Sequence, residues 1–208
     1  NLENSNPKLK AEAYRGLGAI YDRLDDYDSA IYFLEKAIDI NLEQKDSEEL
    51  ASDYQYIGVS YFHKGNYYLA ISNYKKSLQY AKEIEKESLS NTLDFNIGAV
   101  YVSLKSYDEA IEHFSNALEY FTEQKDSLKL AYINNSLGVA YLRLDSLTIS
   151  RNYFLEALNI SNRIDLKRIK VSILINIANI NSKLGDLEDA LLFAKQALTL
   201  SEATKNRY

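Results

Sequence analysis

The apolar residues of this chain fall into short segments that each match one face of an α-helix. The first segment carries four of them at i, i+3, i+4 and i+7: Tyr14, Leu17, Gly18 and Tyr21. The second segment carries a stripe of five: Ala30, Ile31, Leu34, Ala37 and Ile38. Polar breaks such as Asp25-Asp26 separate the segments and end in Asp, Asn or Ser, which cap helix N-termini. The pattern predicts an all-α chain of ten helices joined by short turns, with no strand.

The same pattern recurs along the chain with a constant period of 40. Four of the seven glycines keep this spacing: Gly18, Gly58, Gly98 and Gly138. A tyrosine follows each of them by three residues: Tyr21, Tyr61, Tyr101 and Tyr141. A fifth copy continues the register through Ile177, Ala178, Ala190 and Ala197. Such self-similarity is typical of repeat proteins. It predicts five helix–turn–helix repeats, over residues 7–46, 47–86, 87–126, 127–166 and 167–206.

The recurring glycines predict a close contact between the two helices of each repeat. A glycine in mid-helix costs about 1 kcal/mol relative to alanine, so its recurrence needs a structural reason. We expect the second helix to approach each glycine through a small residue, with bulky residues alongside: Ala30, Ala70, Ala110 and Ser150. The tyrosine row is interpreted mainly as core. Ser106 and Glu109 match a capping box at the start of one second helix.

The combination of Leu17-Gly18, Tyr21, Ala30, Leu34 and Ala37, repeated through the chain, resembles the tetratricopeptide repeat family. The period of 40 is longer than the period of about 34 residues that is usual in that family. The proline that often ends the second helix is absent from every repeat. Long-helix repeats of this kind are similar to those of Pins-type spindle adaptors, kinesin light chains and bacterial sensor and regulator proteins. The resemblance implies a right-handed superhelical solenoid with a concave groove, forming one domain over residues 1–208.

Both ends of the sequence suggest a piece of a longer array. Residues 1–3 match residues 41–43, which predicts that residues 1–6 end a preceding repeat and that Pro7 opens the first helix. The last predicted helix is apolar at Leu191, Leu192 and Leu198, where a solenoid needs a polar cap. Either a further helix follows, which we favour, or this face pairs with another chain.

The resemblance also implies which residues line the groove, because the family presents one face of the first helix of each repeat to its ligand. On this chain that face comprises Gln55, Tyr56, Val59, Phe62, Phe95, Asn96, Ala99, Tyr132, Asn135, Val139, Asn176 and Asn179. Its amides could hydrogen-bond the backbone of an extended peptide, and its rings could hold apolar side chains. The alternative is that these residues coat a wet groove or belong to the core. A clamp for a C-terminal carboxylate is not expected, because only Arg15 offers a cation in the row that chaperone-adaptor repeats use.

Composition and charge narrow the function classes. With 24 Lys and Arg against 30 Asp and Glu, the net charge of -6 disfavours broad binding to nucleic acid. The chain has no cysteine, and its two histidines, His63 and His113, lack a second ligand at helical spacing. No apolar stretch approaches the roughly 18 residues of a membrane span. We therefore expect no catalysis, no metal, no cofactor and no membrane insertion of this segment.

Charge is distributed unevenly. Residues 11–50 carry eleven acidic and four basic residues, whereas residues 131–170 carry three and six. This asymmetry is interpreted as solvated outer faces, with a docking patch for an acidic partner as the alternative.

Three functions remain open at this point. The favoured one is a non-catalytic interaction module that binds an extended peptide or protein segment in the concave groove, as a scaffold or a sensor part of a larger signalling protein. The second is self-association through exposed terminal helices. The third is a small-molecule pocket formed by closure of the superhelix. The compartment and the identity of the partner stay open.

Overall fold

The computed structural model describes residues 6–205, and this part of the chain contains ten α-helices and no strand. In chain order they are α1 (Pro7–Arg23), α2 (Tyr27–Gln44), α3 (Ser47–His63), α4 (Tyr67–Glu83), α5 (Glu87–Ser103), α6 (Tyr107–Glu123), α7 (Ser127–Arg143), α8 (Leu147–Arg163), α9 (Lys167–Leu184) and α10 (Leu187–Lys205). The odd-numbered helices are called A helices and the even-numbered ones B helices. The predicted all-α solenoid class is confirmed.

The turns between helices share one geometry that divides each repeat into two equal halves. Within residues 6–205, a residue with positive φ recurs at a constant interval of 20: Asp25, Lys45, Gly65, Glu85, Lys105, Lys125, Asp145, Asp165 and Gly185. The N–H of the next residue then donates to the carbonyl five residues back, as from Asn66 to Tyr61 at 2.8 Å. This is the Schellman motif of helix C-termini. Each repeat is therefore built from two helical segments of equal length that end in the same turn.

Five helix N-termini carry a side-chain cap, whereas those of α5, α6, α8 and α9 carry none. The side chains of Asp26, Asp46, Asn66 and Asp126 each accept a hydrogen bond from the backbone N–H three residues later. Asn6 caps α1, and Pro7 occupies its first position. The proposed match of residues 1–3 lies outside the described residues.

The predicted capping box at Ser106 is wrong. Its side chain makes no capping hydrogen bond, although its ψ of 74° equals that of Asp26. Ser146, the other serine predicted to cap a helix, makes no capping hydrogen bond either.

The chain divides into two compact units, the first ending at Lys105 and the second beginning at Ser106. In the first unit, α1 packs with α2 and α3 with α4, and each B helix packs against the A helix of the following repeat. The second unit repeats this arrangement with α6 against α7, the pair α7 and α8, and then α9 and α10. The single continuous domain expected from the sequence stays a prediction.

The repeated glycines make room for a bulky side chain of the B helix. A Cβ added at Gly58 would lie 2.6 Å from the ring of Tyr74, and one at Gly138 would lie 2.9 Å from the ring of Phe154. The predicted close approach of the small residue is also present, since the Ser150 hydroxyl donates to the Gly138 carbonyl at 2.7 Å. The glycine is therefore required by the ring four residues beyond the small residue.

The tyrosine row packs between the helices, as expected. Tyr21 stacks on Phe33 with ring centroids 5.3 Å apart, and Tyr141 stacks on Tyr153 at 5.4 Å. Tyr61 is half-buried against the aliphatic core of the first unit.

Candidate functional site

In the first unit, the predicted groove residues lie on α3 and α5. Gln55, Asn96 and Ala99 are half-buried, and Tyr56 is 44% exposed. The other apolar members of α3, Val59 and Phe62, pack against the core cluster that contains Tyr74 and Leu93. Phe95 is half-buried on α5. This face therefore combines one exposed tyrosine and two half-buried amides with rings and methyl groups that also pack in the core.

In the second unit, the predicted residues lie on α7 and α9. Tyr132, Asn135, Val139 and Asn176 are half-buried, whereas Asn179 is exposed. Val139 also packs against the core cluster around Phe154 and Ile177. Two amides of this face, Asn135 and Asn176, thus have only part of the side chain in contact with solvent, and the third, Asn179, is exposed.

One of these amides has an unused acceptor. The Oδ1 atom of Asn135 is buried and accepts no hydrogen bond. A buried polar atom without a partner costs roughly 1–3 kcal/mol. Asn135 therefore offers an acceptor that the chain itself does not satisfy.

Arg15, the cation of the first A helix, is committed to an internal network. Its guanidinium donates to Asp53 and to Glu49 on α3. Asp53 is 0% exposed and also accepts from Asn41 Nδ2 at 2.6 Å. The network ties α1, α2 and α3 together, so Arg15 is not a free ligand-binding cation.

The network shifts the pKa of both charged partners. Burial raises the pKa of the Asp53 carboxyl, against the opposing effect of the Arg15 guanidinium and the Asn41 amide. Burial also works against the charge of Arg15, but the hydrogen bonds and charges of Asp53 and Glu49 outweigh it and raise the pKa of Arg15. Sequence reasoning missed Asp53. The sequence does contain a sign of it, because Asp53 is charged whereas the equivalent residues of later repeats are apolar: Leu93, Ile133 and Ile173.

Two clefts lie outside this network. One, of about 440 Å³, lies between α2, α3 and α4 and is lined in part by Tyr32, Tyr61 and Lys76. The other, of about 320 Å³, lies between α9 and α10 and is lined in part by Ile175 and Asn179. Asn179, one of the predicted groove residues, borders the second cleft.

Among the described residues, no group of three or more His, Asp or Glu side chains is placed to hold a metal ion. His63 instead faces Asp22, with Nδ1 3.1 Å from the carboxylate. None of the helices within residues 6–205 has the length and apolarity needed to cross a membrane.

Comparison with known sequences identifies the repeat. Sequence models of the tetratricopeptide repeat match residues 11–43, 88–163 and 129–203. The chain belongs to the tetratricopeptide repeat family. This family is typically a protein–protein interaction fold and generally non-catalytic. The chain has no match among curated protein sequences.

Solved structures of other proteins share the fold. A signal-transduction ATPase with numerous domains and a tetratricopeptide repeat sensor, from Pyrococcus horikoshii, is 20% identical with a TM-score of 0.89, over 98% of this chain and 32% of the other. Aspartyl phosphate phosphatase F from Bacillus subtilis is 19% identical with a TM-score of 0.86, over 97% and 53%. The apo form of RapI is 18% identical with a TM-score of 0.85, over 97% and 56%. The chain thus spans about half the length of the last two proteins.

Proposed function

We propose that this chain binds an extended peptide or protein segment on the exposed faces of its A helices, as a scaffold or regulatory part of a larger signalling protein. The observation that carries the proposal is the buried, unsatisfied Oδ1 of Asn135 on that face. The named roles of the structural neighbours, a sensor and a phosphatase, are consistent with a regulatory setting but belong to those proteins.

The chemistry of the face suits the backbone of a peptide. An asparagine side chain offers two donors and one acceptor, the complement of a peptide C=O and N–H. In the second unit, three such amides lie on α7 and α9: Asn135, Asn176 and Asn179. Because Asn135 Oδ1 is buried, the side chain has to rotate before a peptide N–H can reach it, and the new hydrogen bond would then remove the cost of the missing one.

Apolar side chains of the ligand would be held by the aromatic members of the face. In the first unit these are Tyr56, Phe62 and Phe95, and in the second unit Tyr132. Tyrosine is enriched among residues that dominate binding energy because its ring adds contact area with little loss of conformational freedom. The guanidinium of Arg15 is already bound to Asp53 and Glu49, so it does not hold a terminal carboxylate of the ligand. The proposed ligand can therefore be an internal peptide segment as well as a chain end.

The test selects random displayed peptides against the parent chain and measures the affinity of each selected peptide by fluorescence polarisation. Every peptide is compared against Phe95→Ala in the first unit and Asn135→Ala in the second. The loss of one interface hydrogen bond or one buried ring predicts about a tenfold weaker affinity for at least one of them. Asn152→Ala is the matched control, because Asn152 is an exposed amide on the B helix α8.

The free energy of unfolding of Asn135→Ala distinguishes a binding role of Asn135 from a structural one. Removing Asn135 removes an unsatisfied acceptor, so Asn135→Ala should leave the free energy of unfolding unchanged or higher while binding weakens. If the selected peptides bind both A-helix variants as well as the parent, or lose affinity equally for Asn152→Ala, the assignment to the A-helix face is wrong.

A further inference from the structure

A ring of the B helix stacks on the repeated tyrosine of the A helix. Phe33 stacks on Tyr21 with ring centroids 5.3 Å apart and an angle of 12° between the rings. Tyr153 stacks on Tyr141 at 5.4 Å and 5°. This position of the B helix carries a ring in four of the five repeats: Phe33, His113, Tyr153 and Phe193. An aromatic side chain is therefore the usual occupant of the space beside this part of the A helix.

The second repeat has no ring at this position. Its residue there is Asn73, and within residues 6–205 no aromatic ring stacks on the corresponding tyrosine, Tyr61. The Asn73 Nδ2 atom donates to the carbonyl of Leu69 at 2.8 Å, so the amide is bound to its own helix. Tyr61 and Asn73 both line the cleft of about 440 Å³ between α2, α3 and α4. This volume lies within the range of small-molecule sites, roughly 300–1,000 Å³.

The two ends of the cleft differ in chemistry. It runs along α3 from Tyr61 to Tyr54, which are seven residues and thus about 10 Å apart. At the Tyr54 end, Lys76 Nζ lies 5.0 Å from the centroid of the Tyr54 ring. Burial raises the pKa of Tyr54, and the carboxylate of Asp39 adds to this effect. At the other end, burial raises the pKa of Tyr61, and the carboxylate of Glu35 adds to it. An ammonium and a carboxylate therefore meet at one end, and an uncovered tyrosine ring lies at the other.

The charges of the cleft balance. Its lining contains two lysines and two acids: Lys36, Lys76, Glu35 and Asp39. Lys36 lies 3.9 Å from Asp39, whereas Lys76 forms no ion pair with any described residue. A polyanion such as a nucleotide phosphate would be repelled by both acids, and a lone carboxylate would be repelled by Asp39. An α-amino acid group carries an ammonium and a carboxylate on one carbon, so it complements Asp39 and Lys76 together.

We propose that this cleft binds a free aromatic amino acid. The ring of the ligand stacks on Tyr61 in the place of the missing B-helix ring, and its ammonium and carboxylate face Asp39 and Lys76. The distance from one end of the cleft to the other matches the length of such a molecule. None of the described residues that line the cleft belongs to the predicted groove face of the A helices. The proposal therefore does not depend on peptide binding at that face, and the two are tested separately.

The test titrates L-phenylalanine and L-tryptophan into the 208-residue chain and measures the heat of binding by isothermal titration calorimetry. Ligands of this size are expected to bind with a dissociation constant of about 1 mM. L-Leucine lacks the ring, and N-acetyl-L-tryptophan amide lacks the two charges, so each should bind about tenfold more weakly. The absence of saturable heat with both aromatic amino acids would overturn the proposal, as would equal affinity for L-leucine. Equal affinity for the capped amide would show that the cleft takes an aromatic side chain of a peptide, and this too would overturn it.

Substitutions locate the ligand. Asn73→Phe supplies the ring that the other repeats carry and should weaken binding of L-tryptophan by about tenfold or more, because the new ring takes its place on Tyr61. The midpoint of thermal unfolding should stay at the parent value or rise. Asn116→Phe adds the same ring at an exposed position of α6 and should bind like the parent.

A second variant keeps the test valid if Asn73→Phe disturbs the fold. Lys76→Met retains the length of an exposed side chain without its charge, so it should fold like the parent and bind L-tryptophan about tenfold more weakly. Far-UV circular dichroism checks the fold of each variant. Parent affinity in a folded Asn73→Phe would place the ligand elsewhere, and parent affinity in Lys76→Met would remove the partner of its carboxylate. Either result overturns the proposal.

Discussion

The requirement for glycine opposite a ring gives a stability prediction of definite sign and size. We compare two substitutions in A helices, Gly58→Ala and Gly16→Ala. A Cβ at Gly16 meets no atom within 4 Å, so only the helix propensity changes. Alanine should then stabilise the chain by about 1 kcal/mol. A Cβ at Gly58 would lie 2.6 Å from the Tyr74 ring, which is itself 3% exposed and cannot swing away. Overpacking of this kind costs about 3 kcal/mol, the upper part of its usual range, so a net loss of about 2 kcal/mol is expected.

The assay is urea unfolding followed by far-UV circular dichroism, with the midpoint and slope of each variant compared. The chain also provides its own rescue, because the fifth repeat carries Ala178 and Ala194 in place of the glycine and the ring. In a Tyr74→Ala background, which loses a buried ring, Gly58→Ala should become stabilising by about 1 kcal/mol. If Gly58→Ala stabilises the parent as much as Gly16→Ala does, the ring does not impose the glycine and the packing argument is refuted.

Three further predictions concern the turns and the buried network. Lys125→Gly should raise the free energy of unfolding by about 1 kcal/mol, because Lys125 has a φ of 55° that glycine adopts without strain. The control Lys75→Gly lies within the helix α4 and should lower the free energy of unfolding by a similar amount. If urea unfolding showed the same effect for both variants, the explanation from the turn geometry would be wrong. Asp53→Ala should cost about 3–5 kcal/mol, because it removes one of the two acidic partners of Arg15 and the acceptor of the buried Asn41 amide, whereas the double variant Arg15→Met with Asp53→Leu should lose less. The same unfolding assay would contradict this if both variants lost equally. Because burial raises the pKa of Asp53 above its ordinary 3.8, the contribution of this carboxyl to stability is present below that pH and is lost as pH rises through the raised pKa. Urea unfolding across this acidic range should show the stability of the parent falling relative to that double variant, and a constant difference would be the contrary result.

The repeat could be predicted because the same residue types recur at a constant spacing along the sequence. Gly58 and Gly138 recur in the same register because a ring of the B helix leaves no room for a Cβ. The finer period of half a repeat was hidden, because seven of the nine positive-φ positions within residues 6–205 are occupied by Lys, Asp or Glu. Schellman turns require a backbone conformation that these side chains tolerate at a cost, so composition does not reveal them.

The candidate site was less predictable than the fold. The family resemblance implies that Phe62 and Val139 line the groove, yet both also pack against core clusters, because a half-buried helix position serves two neighbours. Arg15 was considered alone, although its acidic partners lie 34 and 38 residues away on the next A helix. The unsatisfied Asn135 Oδ1 depends on which donors the neighbouring helices bring within reach, which no pattern of a single helix contains.

The most direct test of peptide binding by the A helices uses the side-chain amide signals of asparagine in a ¹⁵N-labelled chain. The spectrum is recorded during titration with a selected peptide, and the asparagines of the B helices serve as controls in the same sample: Asn116, Asn152, Asn159 and Asn162. The account predicts shifts confined to the A-helix set, Asn96 in the first unit or Asn135, Asn176 and Asn179 in the second. Shifts of the B-helix amides with the A-helix set unmoved would contradict it.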